Sequence, residues 1–483
     1  MHLSLVQRIL GLVIAAFGIT MLPPVVVDIV YGGTTAGLFL AVGAALVAIG
    51  TALWFPVRRV NRDLRLRDGF LIVALFWALL GLGGALPFVF SASSPLSFTD
   101  AVFESVAGVT TTNASVMRGL EHVPHAILWY RQQLQWLGGI GVIVLAVALF
   151  PILGIGGMQL YKGDTPGSVK DEKLTPRITE TAKTLSSIYL LMTVVCAIAY
   201  ASAGMSAFDA IGHAFSTVST GGFSTHDEGF AYFQSASIDA VAVVFMFLGG
   251  VNFALHFLAW KRRDSSVYLS DPQFRGYLLL SGILVAIISI SLYQNGVYTS
   301  PMEALRHGAF AAISMQSTTG FAGTSFAHWP GMLPVLLMLV TFVGGSAGST
   351  GGGMKVIRWQ LVLKQAQREL MRLVHPNAAV AVKFGDKAVA GRVLAAITGF
   401  FAMYLVLFGV LMLLMMAAGT DQVTAWSAIA SCINNAGPAL GAVASTYAHL
   451  PDPAKWVAIC AMLVGRLEVF TIAVLFMPAF WRH

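Results

Sequence analysis

The sequence alternates long apolar runs with short polar interruptions, and the length of the runs predicts membrane-spanning helices. A helix needs about 20 apolar residues to cross the hydrocarbon core of a bilayer. The runs are continuous rather than alternating, which favours helices over the strands of a barrel. Ten spans are predicted, at about 9–30, 34–55, 70–90, 126–152, 184–203, 236–259, 276–293, 330–366, 391–418 and 454–478.

After the third span, one arrangement repeats four times. A span is followed by an apolar stretch of about ten residues, which is too short to cross a membrane. A polar pentapeptide of small residues comes next, and then a second span. The short stretches open with Ser, Thr, Asp or Pro, which are typical of helix N-termini. The four pentapeptides occupy residues 110–114, 219–223, 317–321 and 434–438.

A single pentapeptide of this kind would be interpreted as a turn between two helices. Four copies in matching surroundings instead favour four parts of one site. Non-helical backbone at membrane depth is tolerated only inside protein or beside a water-filled path. Rings of backbone carbonyls and hydroxyls replace the water shell of a monovalent cation, and the C-terminal ends of the short helices favour positive charge. The pentapeptides contain no carboxylate, which argues against a divalent-cation site.

Composition and charge agree with a membrane protein and predict its orientation. Of the 483 residues, 57% are hydrophobic and 11% are charged, whereas soluble proteins average about 25% charged residues. Loops 56–69, 160–183, 261–275 and 354–392 contain 5, 5, 4 and 8 Lys or Arg residues. Because cytoplasmic loops are enriched in Lys and Arg, we expect these loops and both termini to be cytoplasmic. The short helices would then enter the membrane from outside.

Two further features interrupt the apolar pattern. Residues 344–353 contain six glycines, which disfavour a regular helix at membrane depth. Arg466 places a charge inside a predicted span, where charges are usually paired or functional. It could pair with an acid on another helix or project into a pore. Glu468, two residues away, is a poor partner on the same helix. The six glycines of residues 344–353 are Gly344, Gly345, Gly348, Gly351, Gly352 and Gly353.

Enzymatic function is not expected. The sequence has no phosphate-binding G-x-x-x-x-G-K-[ST] motif, and its glycine clusters lie in predicted spans. No set of acid, base or metal-binding side chains shares one depth. A response to nucleotide would therefore need a partner protein.

The four span–short helix–span units, with Thr318–Phe321 and Thr220–Phe223 as filter sequences, resemble the TrkH/KtrB superfamily of potassium-translocating proteins. The resemblance implies an all-α integral membrane protein with four pseudo-symmetric pore repeats and two extra N-terminal helices. The implied divisions are 1–69 for the extra helices and 70–160, 184–262, 274–373 and 388–483 for the repeats.

The same resemblance implies which residues contact potassium, the permeant ion, and it implies no organic cofactor. The contacts are two residues in each pentapeptide: Thr111 and Thr112, Thr220 and Gly221, Thr318 and Thr319, and Asn435 and Ala436. The filter glycine position is met by Gly222, Gly320 and Gly437, whereas Asn113 departs from it. In the family, the glycine-rich segment is an intramembrane loop below the filter, and Arg466 would slow permeation beside it.

The resemblance also implies a bacterial inner-membrane location among lipids, a homodimer, and a cytoplasmic ring of nucleotide-binding TrkA-like subunits. The basic segments 162–183 and 355–392 would offer these subunits a docking face. An ion-coupled secondary transporter with discontinuous helices, such as a cation symporter, remains the alternative. Repeats that all run in the same direction favour a pore over the inverted pairs common in such carriers.

Overall fold

Helices account for nearly all the secondary structure of this membrane protein. The computed structural model describes residues 1–60, 65–148, 174–378 and 380–482. Three helices come first: α1 (Leu3–Ile19), α2 (Leu22–Val30) and α3 (Ala36–Trp54). The strands of the described residues are β1 (Lys383–Phe384) and β2 (Lys387–Ala388), which form an antiparallel hairpin that the sequence analysis did not predict.

The first group of helices follows the predicted order of long, short and long, and the second follows it with a bent pair of helices as its second span. The first group contains α4 (Leu66–Phe90), α5 (Phe98–Val109) and α6 (His125–Ala148). The second contains α7 (Leu174–Ser202), α8 (Ala207–Val218), α9 (Ala236–Gly249) and α10 (Phe253–Arg262).

The third and fourth groups repeat the order with different second spans. After α11 (Ser266–Ser270), the third group contains α12 (Pro272–Gln294), α13 (Pro301–Gln316), α14 (Leu333–Val343) and α15 (Val356–Val374). The fourth contains α16 (Gly391–Ala417), α17 (Gln422–Ile433), α18 (Asp452–Leu467), α19 (Val469–Leu475) and the terminal α20 (Pro478–Trp481).

The short helices begin where the sequence predicts, because local side chains cap them. Ser97 and Ser206 each accept a hydrogen bond from the backbone N–H three residues later, at 3.1 Å. Ser300 accepts one from Met302 at 3.3 Å, and Asp421 accepts one from Val423 at 3.0 Å. Such caps satisfy N–H groups that the first turn of a helix leaves unpaired.

Six helices of the described chain are long and apolar enough to span a membrane, or up to eight if each bent pair is one span. The two other predicted spans correspond to α6 and α14. Helix α6 carries buried Arg131, Gln132, Gln133 and Gln135 in its first half. Helix α14 has 11 residues.

The predicted spans 236–259 and 454–478 each contain a sharp break that the sequence analysis did not predict. Helices α9 and α10 bend by 95°, and α18 and α19 bend by 107°. At the first bend, Asn252 caps α10 through a 2.9 Å bond to the Ala254 N–H. At the second, Glu468 adopts a φ of 58°, which ends the α-helix. Of the predicted docking segments, most of 162–183 lies outside the described residues.

Candidate ion-binding site

Each short helix ends in the same backbone turn, and that turn forms the start of the pentapeptide. The second residue after each helix end adopts a left-handed conformation, and the following backbone contains an N–H that bonds back into the helix. A non-glycine residue is rarely left-handed, and such strain persists mainly where the surroundings fix it for function. The left-handed residues are Thr111, Thr220, Thr318 and Asn435, with φ of 52°, 52°, 60° and 53°.

Backbone hydrogen bonds confirm that the four turns are equivalent. In the first, the Thr111 N–H donates to the Gly108 carbonyl at 2.9 Å and the Thr112 N–H to the Ala107 carbonyl at 2.7 Å. The second and fourth turns repeat both bonds, and the third turn repeats the first bond. In the third turn, Gly320 rather than Thr319 donates to the carbonyl of Ser314, at 3.2 Å.

The carbonyl oxygens of the left-handed residues are buried but bonded to nothing within the described chain. All four residues are at most 1% exposed, and none of these oxygens accepts a hydrogen bond from the described residues. Buried carbonyls in proteins are nearly always paired. Four unpaired carbonyls at four equivalent positions are therefore candidate ligands for a cation.

The four turns, called filters 1 to 4 in chain order, close into a ring. A Cβ atom on Gly222 would lie 1.9 Å from the carbonyl oxygen of Thr319, which places filter 2 against filter 3. One on Gly320 would lie 1.9 Å from the oxygen of Ala436. The Asn435 amide in filter 4 donates to the Thr112 hydroxyl of filter 1 at 2.9 Å. Only glycine fits such close backbone approaches.

Filters 1 and 2 complete the ring through Asn113. A Cβ on Gly222 would lie 2.8 Å from the Cβ of Asn113. The structure thus brings together all twelve predicted filter residues. The residues directly after the left-handed ones are Thr112, Gly221, Thr319 and Ala436. The next residues along the chain are Asn113, Gly222, Gly320 and Gly437.

The sequence analysis missed Gln135 of α6, which is fully buried. Its Nε2 donates to the carbonyl of Gly221 at 2.7 Å, and its Oε1 accepts from the N–H of Phe223 at 3.0 Å. Gln135 therefore holds filter 2 from outside the ring. The available signal was the run of polar residues within a predicted span, because such residues are usually functional or paired.

Arg131, on the same face of α6, was missed for the same reason. It forms a buried ion pair with Glu104 of α5 at 2.8 Å. Its Nη1 donates to the carbonyl of Ser224 at 3.2 Å, and its guanidinium lies 4.4 Å from the ring centre of Phe223. The pair connects the first short helix to the segment that follows filter 2.

We expect Arg131→Met to destabilise the protein by about 3–5 kcal/mol, because it leaves the Glu104 carboxylate buried and unpaired. The double variant Glu104→Gln with Arg131→Met should recover much of that loss. Thermal unfolding in detergent measures both. Arg372→Met is the matched control, since Arg372 is 45% exposed and pairs with an exposed Glu369; it should cost less than ~1 kcal/mol. Equal losses in the two single variants would contradict the prediction.

A cavity of about 470 Å³ lies on one side of the ring, and its lining includes the fourth residue of every pentapeptide: Asn113, Gly222, Gly320 and Gly437. The loops around it bond to one another. Asp227 accepts from the Gly119 N–H at 2.7 Å and donates its own N–H to Glu121 at 3.1 Å. The pKa of Glu121 lies below its usual value, because its carboxylate accepts hydrogen bonds from two backbone N–H groups, that of Glu121 itself and that of Asp227. These bonds connect the loop before α6 to the loop that follows filter 2.

The glycine-rich segment between α14 and α15 lies against the filters on the opposite side. The Gly352 N–H donates to the Thr318 hydroxyl at 2.6 Å, and the Gly353 N–H donates to the Asn434 carbonyl at 3.1 Å. The Thr350 hydroxyl donates to the Val218 carbonyl at 3.0 Å. The segment thus touches the ends of three short helices.

Glycine is needed in this segment for two different reasons. Gly344, Gly348 and Gly353 have positive φ values of 68°, 79° and 73°. Gly352 is required by space, because a Cβ there would lie 2.0 Å from the Asn434 carbonyl oxygen. Gly345 and Gly351 are also closely packed: a Cβ would lie 2.9 Å from the Gly250 oxygen and 2.7 Å from the Ser317 oxygen, respectively.

Two cationic side chains hold the same segment. Arg466 Nη1 donates to the Thr350 carbonyl at 2.9 Å, and Lys355 Nζ donates to the Gly351 carbonyl. Within the described chain, Nε and Nη2 of Arg466 have no hydrogen-bond partner and no carboxylate pairs with it. Glu468 instead pairs with Arg358 of α15 at 2.6 Å. A buried charge without a counter-ion thus lies next to the segment beneath the filters.

Comparisons with known proteins agree with this architecture. A family model described as TrkH, cation transport protein, matches residues 37–483. The chain is 50% identical to the Trk system potassium uptake protein TrkH of Halomonas elongata and 49% identical to that of Escherichia coli, with full coverage of each chain. The crystal structure of the potassium transporter TrkH from Vibrio parahaemolyticus superposes with a TM-score of 0.94 at 46% identity, over 100% of both chains.

Proposed function

The chain belongs to the TrkH family of cation transport proteins, and from this membership we propose that it carries potassium into a bacterial cell across the inner membrane. The observation that supports this most is the ring of four left-handed filter turns, whose buried carbonyls lack hydrogen bonds within the described chain. The short helices add the partly negative ends of their dipoles around the same point. A dehydrated monovalent cation is the ligand for which such oxygens are suited.

In this proposal, residues 70–160, 184–262, 274–373 and 388–483 are pore repeats, and 1–69 supplies two additional spans. The basic loops and both termini are cytoplasmic by the positive-inside rule. The 470 Å³ cavity is then the outer mouth. Potassium passes from it through filters 1 to 4 toward the glycine-rich segment.

Residues 344–353 act as the gate in this scheme. They touch filters 3 and 4, and both Arg466 and Lys355 donate to their carbonyls. The unpaired charge of Arg466 opposes the passage of a cation at this point. Opening requires the segment to leave the filter ends, which breaks these hydrogen bonds and the close backbone packing of Gly351 and Gly352.

We further propose that the protein works as a homodimer with cytoplasmic nucleotide-binding subunits similar to TrkA. The relatives are named as parts of a Trk system. The basic face on α15 and the loop to α16, within 355–392, is the proposed docking surface. This segment contains eight Lys or Arg residues.

Flux into liposomes tests the proposed function. Purified protein should take up potassium in preference to sodium down a potassium gradient, and an added cytoplasmic subunit with nucleotide should change the rate. Protein-free liposomes provide the control. Uptake that requires an imposed proton or sodium gradient would instead support the ion-coupled symporter. Absence of potassium flux under all these conditions would contradict both.

A further inference from the structure

The first half of the glycine-rich segment, residues 344–348, is bound to the bend between α9 and α10. The Ser346 N–H donates to the Gly250 carbonyl at 2.8 Å, and the Phe253 N–H donates to the Gly348 carbonyl at 3.0 Å. Among the described residues, no hydrogen bond joins this half to a filter. The bonds to the filters described above belong to the second half of the segment. The two halves therefore have different partners.

The side chain of Gln273, in the first turn of α12, binds the same half. Gln273 is fully buried, and its Oε1 accepts a hydrogen bond from the Ala347 N–H at 3.3 Å. Its Nε2 has no hydrogen-bond partner within the described chain. A buried donor without a partner costs free energy, so burying a glutamine here needs an explanation. The bond to Ala347 is the contact that accounts for it.

Tyr277 holds the bend itself, from the same face of α12 one turn after Gln273. Its ring is fully buried and stacks on Phe247 of α9, with the ring centres 4.9 Å apart. A Cβ on Gly250 would lie 2.2 Å from the Tyr277 hydroxyl oxygen, so α12 and the bend are in close contact. One face of α12 thus supports both the bend and the segment that is bound to it.

We propose that Gly250, Phe253 and Gln273 form a seat for the gate, and that Gln273 is a positioning residue that keeps the gate against the filters without contacting the ion. The proposal rests on potassium conduction as the proposed function and on residues 344–353 as its gate. While the first half is bound to the seat, the second half reaches filters 3 and 4.

The seat makes three hydrogen bonds to the first half of the gate, and Gln273 supplies the one that comes from a side chain. Removing it should shift the equilibrium between the closed and open gate about fivefold toward the open state, equivalent to ~1 kcal/mol. The ion ligands of the filters stay in place, because the seat lies outside the four pentapeptides.

Gln273→Met tests the seat in the liposome assay, because it removes the acceptor and retains a side chain of similar length. We expect the maximal rate of potassium uptake to rise about fivefold. The KM for potassium and the potassium-to-sodium permeability ratio should keep their wild-type values. A loss of packing alone would not raise the rate at constant KM. Gln273→Ala removes the same acceptor with a smaller side chain and should also raise the rate.

Ser289→Ala is the matched control, because it too removes a buried polar group from α12. Ser289 lies 16 residues after Gln273, which corresponds to about 24 Å along the helix axis. Its hydroxyl has no hydrogen-bond partner among the described residues. The maximal rate and the KM of this variant should equal those of the wild-type protein.

The outcomes separate the seat from the proposed function. An unchanged or lower maximal rate in both folded Gln273 variants would overturn the seat while leaving potassium conduction standing. A changed KM or permeability ratio would also overturn it, because Gln273 would then act on the filters. An equal rise in the Ser289 variant, or failure of both Gln273 variants to fold, would assign Gln273 to the stability of α12 instead. Wild-type protein without potassium flux would refute the proposed function.

Discussion

Replacing Gly320 with alanine should reduce potassium uptake by roughly a hundredfold while the protein remains folded. The new Cβ would lie 1.9 Å from the Ala436 carbonyl oxygen and 2.6 Å from Pro438 Cδ. Alanine also disfavours the φ of 74° found there. Left-handed strain and overpacking each cost about 1–3 kcal/mol. A penalty of ~3 kcal/mol on the conducting conformation corresponds to the expected factor.

Gly282→Ala and Gly409→Ala serve as matched controls, because no atom lies within 4 Å of the Cβ position at either residue. Both lie in long apolar helices, α12 and α16. Potassium uptake into liposomes and elution as folded protein are measured for all three variants. Normal uptake by the Gly320 variant would show that the ring tolerates displacement of filters 3 and 4, contrary to its proposed role.

Arg466→Ala should increase potassium flux by tenfold or more. Arg466 is 6% exposed, and no carboxylate of the described chain neutralises it. A unit charge about 6 Å from a passing cation opposes it by ~3 kcal/mol at an effective dielectric constant of about 20. The substitution also removes the 2.9 Å hydrogen bond to the Thr350 carbonyl, which loosens the proposed gate, residues 344–353.

Arg466→Lys keeps the charge and separates the two effects. If charge dominates, the lysine variant should stay close to the wild-type flux while the alanine variant rises. If the hydrogen bond to Thr350 dominates, both should rise, because lysine does not reproduce the guanidinium geometry. An Arg466→Ala variant that folds but shows unchanged or lower potassium flux would contradict a barrier role for Arg466.

The filter turns could be predicted from the sequence because their signals are local. Ser97, Ser206, Ser300 and Asp421 mark where the short helices begin, and the small polar residues after each helix mark where it ends. Four repetitions then raise a weak local pattern to a strong one. The left-handed angles of Thr111 and its three equivalents follow from the helix-ending turn, which is a local structure too.

Contacts between the filters could not be predicted, because they depend on residues far apart in the chain. Asn113 and Gly320 are separated by 207 residues, and nothing in either pentapeptide specifies that they bond. Gln135 and Arg131 act on filter 2 from a helix that belongs to the first group. At the bend between α18 and α19, Glu468 likewise bonds to Arg358, 110 residues away.

The ring is built from four different segments of a single polypeptide, and this has an evolutionary consequence. In a pore assembled from identical subunits, one codon change alters all four quarters at once. Here each quarter mutates independently, so a residue such as Asn113 arises once and is tested against three unchanged neighbours. A gene of this design can therefore change one quarter of the ring while the other three quarters keep their residues.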